Sequence, residues 1–326
     1  MTAPHGDAAV FVETAARLHF GVLDLRGATG RWFGGIGAAA PAPTLLVSAR
    51  HDSTLTADGA DADRAAAFAS AFLAHHRLEV GARVSVHRSL PAHAGLGSGT
   101  QLGLAVARAL AELHGLPNAS AALASAVGRA RRSAIGTWTF DGGGLVVEGG
   151  RRADADRVGP LIVRLPFPPT WRCIVAVPRL PSAISGDAEA AAFASLRPPP
   201  DGSIERVAHL VLMALLPALV DGELPAFGRA LTEIQTTTGR WFASVQGGLF
   251  ASGLSQELVR RMAEWGAAGV GQSSWGPTVY GIVDGDSDAA VLADRVRAAI
   301  DAGGGGDVFE GAFRVDGARV WRDSVT

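Results

Sequence analysis

Pro91-Ala-His-Ala-Gly95-Leu-Gly97-Ser98-Gly99-Thr100-Gln101 is the stretch on which the fold turns. It follows a short alternating run, Arg83 to His87, in which Val84 and Val86 face one way and Ser85 and His87 the other. It precedes an Ala/Leu-rich helical pattern from Ser98 to His114. Ser98 and Gln101, three residues apart, have the spacing of a capping box. Free N–H groups at a helix start, with the positive end of the macrodipole, attract an anion. Gly95, Gly97 and Gly99 let the backbone close round phosphate oxygens without Cβ clashes. A glycine-lined turn before an ordinary helix reads similarly. The strand–loop–helix setting and the density of Ser and Thr favour phosphate binding by Gly95, Leu96, Gly97, Ser98, Gly99, Thr100 and Gln101.

Outward from this loop, the chain reads as strands and helices in an α+β order, with no dinucleotide-binding βαβ unit at its start. Residues 9–23 and 44–49 read as strands, and the five glycines between Gly27 and Gly37 as a turn-rich segment. A helix is expected over 63–77, with others at 187–196, 204–220, 223–236, 255–265 and 287–301. Strands are expected at 145–147, 161–165, 173–177 and 278–283, with one or two closing strands over 308–320. The polar segment 149–159 is the expected boundary, giving domains 1–155 and 156–326.

A second glycine/serine cluster, Gly269 to Thr278, again lies between a helix and a strand. One such loop per domain suggests a ligand held between the two. Arg131-Arg132-Ser133 reads either as a solvated face or as a grip on a phosphate or carboxylate. Asp24, in an apolar strand, is a turn-capping acid or a functional one, and Arg240-Trp241-Phe242 a binding wall or core.

Composition excludes several chemistries. The chain has 326 residues and a formal net charge of −2, so no general pull toward nucleic acid exists. All 29 basic residues are arginine, which removes a P-loop lysine, a Schiff-base lysine and a lysine general base. One cysteine, Cys173, excludes an intramolecular disulfide and a Cys-rich zinc site, and the nine histidines form no HExxH. The first twenty residues carry Asp7, Glu13 and Arg17, which interrupt any signal-peptide core, and the apolar run from Leu210 to Val220 is short for a membrane span. The expectation is a cytoplasmic protein with neither membrane nor nucleic-acid partner.

The Pro91–Gln101 loop resembles the second motif of the GHMP kinase superfamily. That resemblance implies an N-terminal domain like ribosomal S5 domain 2 and a ferredoxin-like C-terminal domain. Closer still, several segments are similar to the beta-ribofuranosylaminobenzene 5'-phosphate synthase family. They are Ala16-Arg17-Leu18-His19-Phe20-Gly21 with Asp24, Gly30-Arg31 with Gly34-Gly35, Arg132-Ser133-Ala134-Ile135-Gly136, Gln246-Gly247-Gly248 and Gln272-Ser273-Ser274-Trp275-Gly276-Pro277-Thr278. In many of the kinases a Ser-Gly-x-Asp stretch supplies the catalytic acid; here glycine, Gly136, stands in its place.

The resemblance implies condensation of 4-aminobenzoate with phosphoribosyl pyrophosphate, releasing CO2 and pyrophosphate, on the way to methanopterin-type carriers. It implies Mg²⁺ and no organic cofactor, and a homodimer. It assigns catalysis to Arg17, His19, Asp24 and Arg132, with Asp24 also as a metal ligand. It adds Ser133 to the phosphate loop, and substrate contacts at Arg31, Trp241, Gln272, Ser273, Ser274, Trp275 and Thr278. The alternatives are an ATP-dependent GHMP-type small-molecule kinase using another carboxylate, such as Asp141, and a non-catalytic phosphate-binding module.

Overall fold

The computed structural model describes residues 8–152, 154, 157–179, 186–251 and 253–324. Its frame is a pair of long antiparallel strands, β1 (Ala8–Asp24) and β2 (Arg31–Asp52). Residues of β1 alternate in burial along most of its length, as a strand with one face on a core must. The turn between them is held by Asp24, whose Oδ1 accepts from the N–H groups of Arg26 (2.6 Å) and Gly27 (3.0 Å). The glycines read as a turn-rich segment therefore lie largely inside a strand. Gly37 shows why: a Cβ there would run into Leu18 O and Ile135. Glycine lets Ile135 pack onto the paired strands there.

β3 (Thr56–Gly59), α1 (Ala62–His76) and β4 (Gly81–Arg88) follow, and β4 pairs with the second half of β2. Next come α2 (Ser98–His114), α3 (Ser120–Ala126) and α4 (Ile135–Gly142). The short strands β5 (Leu145–Glu148) and β6 (Arg151–Arg152) pair with the first half of β2, and β7 (Leu161–Leu165) pairs with β5.

The second sheet begins at β8 (Trp171–Pro178). α5 (Gly186–Ser195), α6 (Ser203–Leu210) and α7 (Leu216–Asp221) lead to the long α8 (Leu224–Gln246), with a π-helical turn at Val211–Leu215. α9 (Leu254–Glu264), β9 (Gly269–Gln272), β10 (Val279–Asp284), α10 (Gly285–Ala302) and β11 (Gly306–Ala312) complete it. The sheet order β11-β8-β10-β9, all antiparallel, is that of a ferredoxin-like unit. The last strand, β12 (Arg319–Ser324), returns to the first sheet and pairs with β1.

The sheets therefore do not divide at residue 155: β7 and β12 both belong to the first sheet. One continuous core joins the two layers, from Val10, Phe20 and Leu104 to Val175, Phe227 and Tyr280. Ser203–Asp221 is long and apolar enough to cross a membrane by length and composition. In this fold its Val207, Leu210, Val211 and Leu215 are buried in that core.

Candidate active site

A cavity of about 630 Å³ opens between the two layers, within the size range of small-molecule sites. Its floor is the Ala94–Thr100 loop. α2 starts at Gly97 (φ +75°) and no side chain caps it, so the capping box expected from Ser98 and Gln101 does not form. The first-turn N–H groups of an uncapped helix are the ones that take up an anion. Gln101 instead turns inward: its Nε2 donates to Gly136 O at 2.9 Å and its Oε1 accepts from the Thr14 hydroxyl at 2.8 Å. It locks the loop from behind rather than lining the cavity.

Both ends of the molecule clamp this loop. Arg17 on β1 donates from Nη1 to Gly95 O at 2.7 Å, and its N–H donates to Leu96 O at 3.0 Å. Ser273, at the end of β9, donates its hydroxyl to the same Gly95 O at 2.7 Å and accepts from the His19 N–H at 2.9 Å. A Cβ on Gly95 (φ +79°) would strike Ser273 O. Gly95 is thus the point where the two loops noted in the sequence touch, and only glycine fits there.

The charge of the lining is one-sided. Among the described residues it holds five arginines, Arg17, Arg64, Arg129, Arg131 and Arg132, with His19 and His93, and neither aspartate nor glutamate. Arg64 and Arg129 reach over Gly99, where a Cβ would sit 3.2 and 2.9 Å from their Nη2 atoms. Burial, with Arg17 adding to it, pushes the His19 imidazole down to about 3, so it is neutral near pH 7.

Part of the lining is aromatic. Phe193 of α5 meets Phe33, Phe242 and Trp275 edge-on, with centroids 5.8, 5.9 and 5.4 Å away, and Phe242 meets Trp275 at 5.0 Å. The Arg132 guanidinium lies 4.9 Å from the Phe193 ring centre. Backbone strain gathers here too. Of the six non-glycine residues with left-handed backbone among the described residues, Phe33, His93, Ala130 and Ser274 line this cavity.

Of the residues singled out in the sequence, Arg17, His19, Gly95, Leu96, Gly97, Ser98, Gly99, Thr100, Arg132, Ser133, Gln272, Ser274 and Trp275 line the cavity. Ser273 stands behind it as the clamp. Asp24 does not line it; its carboxylate is taken up by the β1–β2 turn. Arg31 donates to Gly150 O at 3.0 Å, away from the cavity. Trp241 is buried in the core, and its neighbour Phe242 supplies the ring instead. Thr278 is fully buried and bonds through its N–H to Ala94 O. Asp141 accepts from Ser120 and Arg164 and does not line the cavity.

Magnesium finds no carboxylate ligand here. No cluster of three or more His, Cys, Asp or Glu able to hold a metal occurs among the described residues. Mg²⁺ is held through carboxylates and substrate phosphates. Among the described residues this lining offers arginines for phosphates and no carboxylate for the ion.

Sequence reading missed Arg64, Arg129, Phe33, Phe193 and Glu148. Arg129 had a signal in the arginine spacing 129–132, whereas Arg64 and Phe193 sit on helices that look ordinary. Glu148 is buried on β5, where its Oε2 accepts from Gly150 N–H at 2.8 Å and its Oε1 from Ala134 N–H at 3.3 Å.

This architecture, with its glycine-rich loop before α2, is that of the GHMP kinase superfamily, and sequence comparison agrees. The GHMP kinases N terminal domain family matches residues 63–141, and the GHMP kinases C terminal family matches residues 215–302. The chain belongs, within that superfamily, to the beta-ribofuranosylphenol 5'-phosphate synthase family. Its relatives so named include one from Methanothermobacter thermautotrophicus, 34% identical, covering 84% of this chain and 89% of the relative. Another, from Archaeoglobus fulgidus, is 35% identical and covers 84% and 87%. Among solved structures, homoserine kinase from Cytophaga hutchinsonii has a TM-score of 0.71 at 17% identity over 98% of this chain and 99% of that one. Mevalonate pyrophosphate decarboxylase from Streptococcus pyogenes has a TM-score of 0.68 at 15% identity, covering 94% and 97%. These two share the fold. The relatives' name specifies a phenol, where the motifs resembled an aminobenzene synthase.

Proposed function

We propose that this protein is a riboside-phosphate synthase joining phosphoribosyl pyrophosphate to a benzoate with an electron donor in the para position, 4-aminobenzoate or 4-hydroxybenzoate. The observation that carries this reading is the lining itself: among the described residues it combines five arginines and no carboxylate with a cluster of aromatic rings. A phosphoryl-transfer enzyme of the kinase type needs a base for its acceptor hydroxyl. Gly136 stands where that acid belongs and Asp141 is engaged elsewhere.

The arginines and the start of α2 suit the leaving diphosphate. As the C1–O bond breaks, negative charge grows on the diphosphate and the sugar becomes oxocarbenium-like. Fixed cations aimed at that charge stabilise the transition state more than the ground state. Arg17 is held in place by Gly95 O and costs little to orient. The ring carbon bearing the carboxylate attacks C1, pushed by the para donor. The C–CO2 bond then breaks and its electron pair returns to the ring, so no net proton is consumed. Phe33, Phe193, Phe242 and Trp275 hold the arene and keep water from the sugar cation.

The test incubates the protein with phosphoribosyl pyrophosphate, Mg²⁺ and carboxyl-labelled benzoates. 4-Aminobenzoate, 4-hydroxybenzoate or both release labelled CO2 and pyrophosphate in equal amounts, while benzoate and 3-aminobenzoate release neither. Pyrophosphate release with the label retained means an ester or N-riboside, and the decarboxylating step is then wrong. ADP formation from ATP with a small alcohol would establish the kinase alternative instead.

A further inference from the structure

Glu148 is a buried acid that the chemistry above does not use. Strand register explains its position. Gly35 on β2 lies directly opposite Glu148 on β5, and Val22 on β1 lies opposite Gly35 on the other side. His19 is three residues before Val22, past the bulge between His19 and Gly21, and its side chain leans back toward Gly35. A Cβ built on Gly35 would stand 3.3 Å from His19 Nε2 and 3.4 Å from Glu148 Oε1. The missing side chain opens a recess that the imidazole enters from one strand and the carboxyl from the other. Gly159 walls the far side, since a Cβ there would strike Glu148 Oε2.

We propose that Glu148 is a positioning residue: its carboxyl shares the recess at Gly35 with the His19 imidazole and orients that ring through space by its charge, and through the Ala134 N–H it fixes the Ser133–Ala134 entry to α4. Both targets belong to the cavity, which His19 and Ser133 line. The proposal rests on the reading of that cavity as the reaction site.

Desolvation pushes the Glu148 carboxyl up to about 7, against the pull of the Gly150 and Ala134 N–H groups. His19 is neutral over the same range. The ionisable side chains around Glu148 include His19 and its neighbour Arg17 on β1, Arg31 on β2, which donates to Gly150 O, and Arg132, two residues before Ala134; β7 and α4 add Arg164 and Asp141, which pair with each other at 2.9 Å. The Gly159–Leu161 approach to β7 brings none. An imidazole ring responds to a charge close by. When Glu148 loses its proton, a negative charge appears in the recess that both groups enter.

The first measurement needs no turnover. In protein labelled with ¹⁵N-histidine, the His19 ring signals should move with a midpoint near pH 7 set by Glu148, and Glu148→Gln should abolish that movement. Gly35→Ala, which puts a methyl into the recess, should shift the same signals and serves if Glu148→Gln does not fold. His19 signals that ignore both substitutions overturn the proposal.

The second measurement is kinetic. Glu148→Gln should lower kcat about tenfold or more, with affinity for phosphoribosyl pyrophosphate within about twofold, as misplacement of a wall by a fraction of an ångström does. It should also remove the limb of the pH profile near 7, and Glu148→Asp should restore it. A slower enzyme with an unmoved pH profile means that Glu148 is merely structural. A wild-type protein without turnover, but with His19 responding to Glu148, overturns the proposed reaction and leaves the pairing standing.

Discussion

Gly97 concentrates the argument at the scale of one residue. Its φ of +75° is a left-handed conformation, and a Cβ there would stand 2.8 Å from Arg17 Cγ. Gly97→Val should therefore push Arg17 off the loop and distort the start of α2 while leaving the core intact. The expected loss of phosphoribosyl pyrophosphate binding is about 1.5–3 kcal/mol, or about 10- to 150-fold in Kd. Calorimetry on the folded variant checks it, and unchanged affinity would remove the loop from the binding site. His19 and Glu148 make a second residue-scale prediction. His19 titrates at about 3 in the fold against 6.5 ordinarily, so its contribution to stability is complete above 6.5 and is lost as pH falls toward 3. Glu148 titrates at about 7 against 4.5, so its contribution is complete below 4.5 and is lost as pH rises through 7. Each slope reaches at most about 1.4 kcal/mol per pH unit, with opposite signs. The two cancel between 4.5 and 6.5. In Glu148→Gln the histidine slope stands alone, and stability should rise with pH across that window. Urea midpoints at about pH 5 and about pH 6 report it, and parallel changes in variant and wild type would refute it.

At the scale of elements, the parts legible in the sequence were those whose pattern is local. The strand, loop and helix around Gly95–Gln101 appear where periodicity put them, and so do α1, β8 and α10. Two misreadings have physical causes. Glycines 34, 35 and 37 looked like a turn because glycine is rare inside strands, yet here they make room for Glu148 and His19 from the two paired strands and for Ile135 of α4. α8 runs to Gln246, ten residues beyond its expected end, through Thr236, Thr237, Thr238 and Gly239, which weaken a helical pattern. Its tertiary packing overrides that weakness, and the overlooked part carries Thr238, Gly239, Phe242 and Gln246 of the cavity wall. The aromatic cluster was illegible because its rings come from a strand, two helices and a loop. Phe193 is its hub, touching Phe33, Phe242, Trp275 and Arg132. Phe193→Ala should admit water, raising ribose 5-phosphate formed by hydrolysis relative to riboside by about tenfold. Product ratios by chromatography test this, and an unaltered ratio would mean that the cluster does not exclude water.

Across the whole molecule, the first and last described strands share one sheet. β12 covers the outer edge of β1 from Ala8 to Glu13, stacks Trp321 on Phe11 at 5.4 Å, and ties to α2 through Arg322 and Glu112 O. Deleting residues 319–326 should bare that edge and lower stability by more than about 2 kcal/mol. Denaturant midpoints together with light scattering would record both destabilisation and self-association; a monomer of unchanged stability would show β12 to be dispensable. Domain division was the least legible feature, because pairing of β1 with β12 joins residues about as distant as the chain allows. The cavity shares this origin: Ser273 and Gly95 are separated by 178 positions and meet through one hydrogen bond.

A chain whose every basic side chain is arginine has an unusual reagent profile. Acyl phosphates, activated esters and aldehydes modify side-chain amines, and no lysine is present to meet them. Guanidinium groups resist such acylation. Dicarbonyls such as phenylglyoxal behave oppositely, condensing with guanidinium groups. Phenylglyoxal should inactivate the protein, and bound phosphoribosyl pyrophosphate should slow the loss by shielding Arg17, Arg64, Arg129, Arg131 and Arg132. Mass spectrometry of adducts with and without the substrate would then map which of the five guanidinium groups it covers.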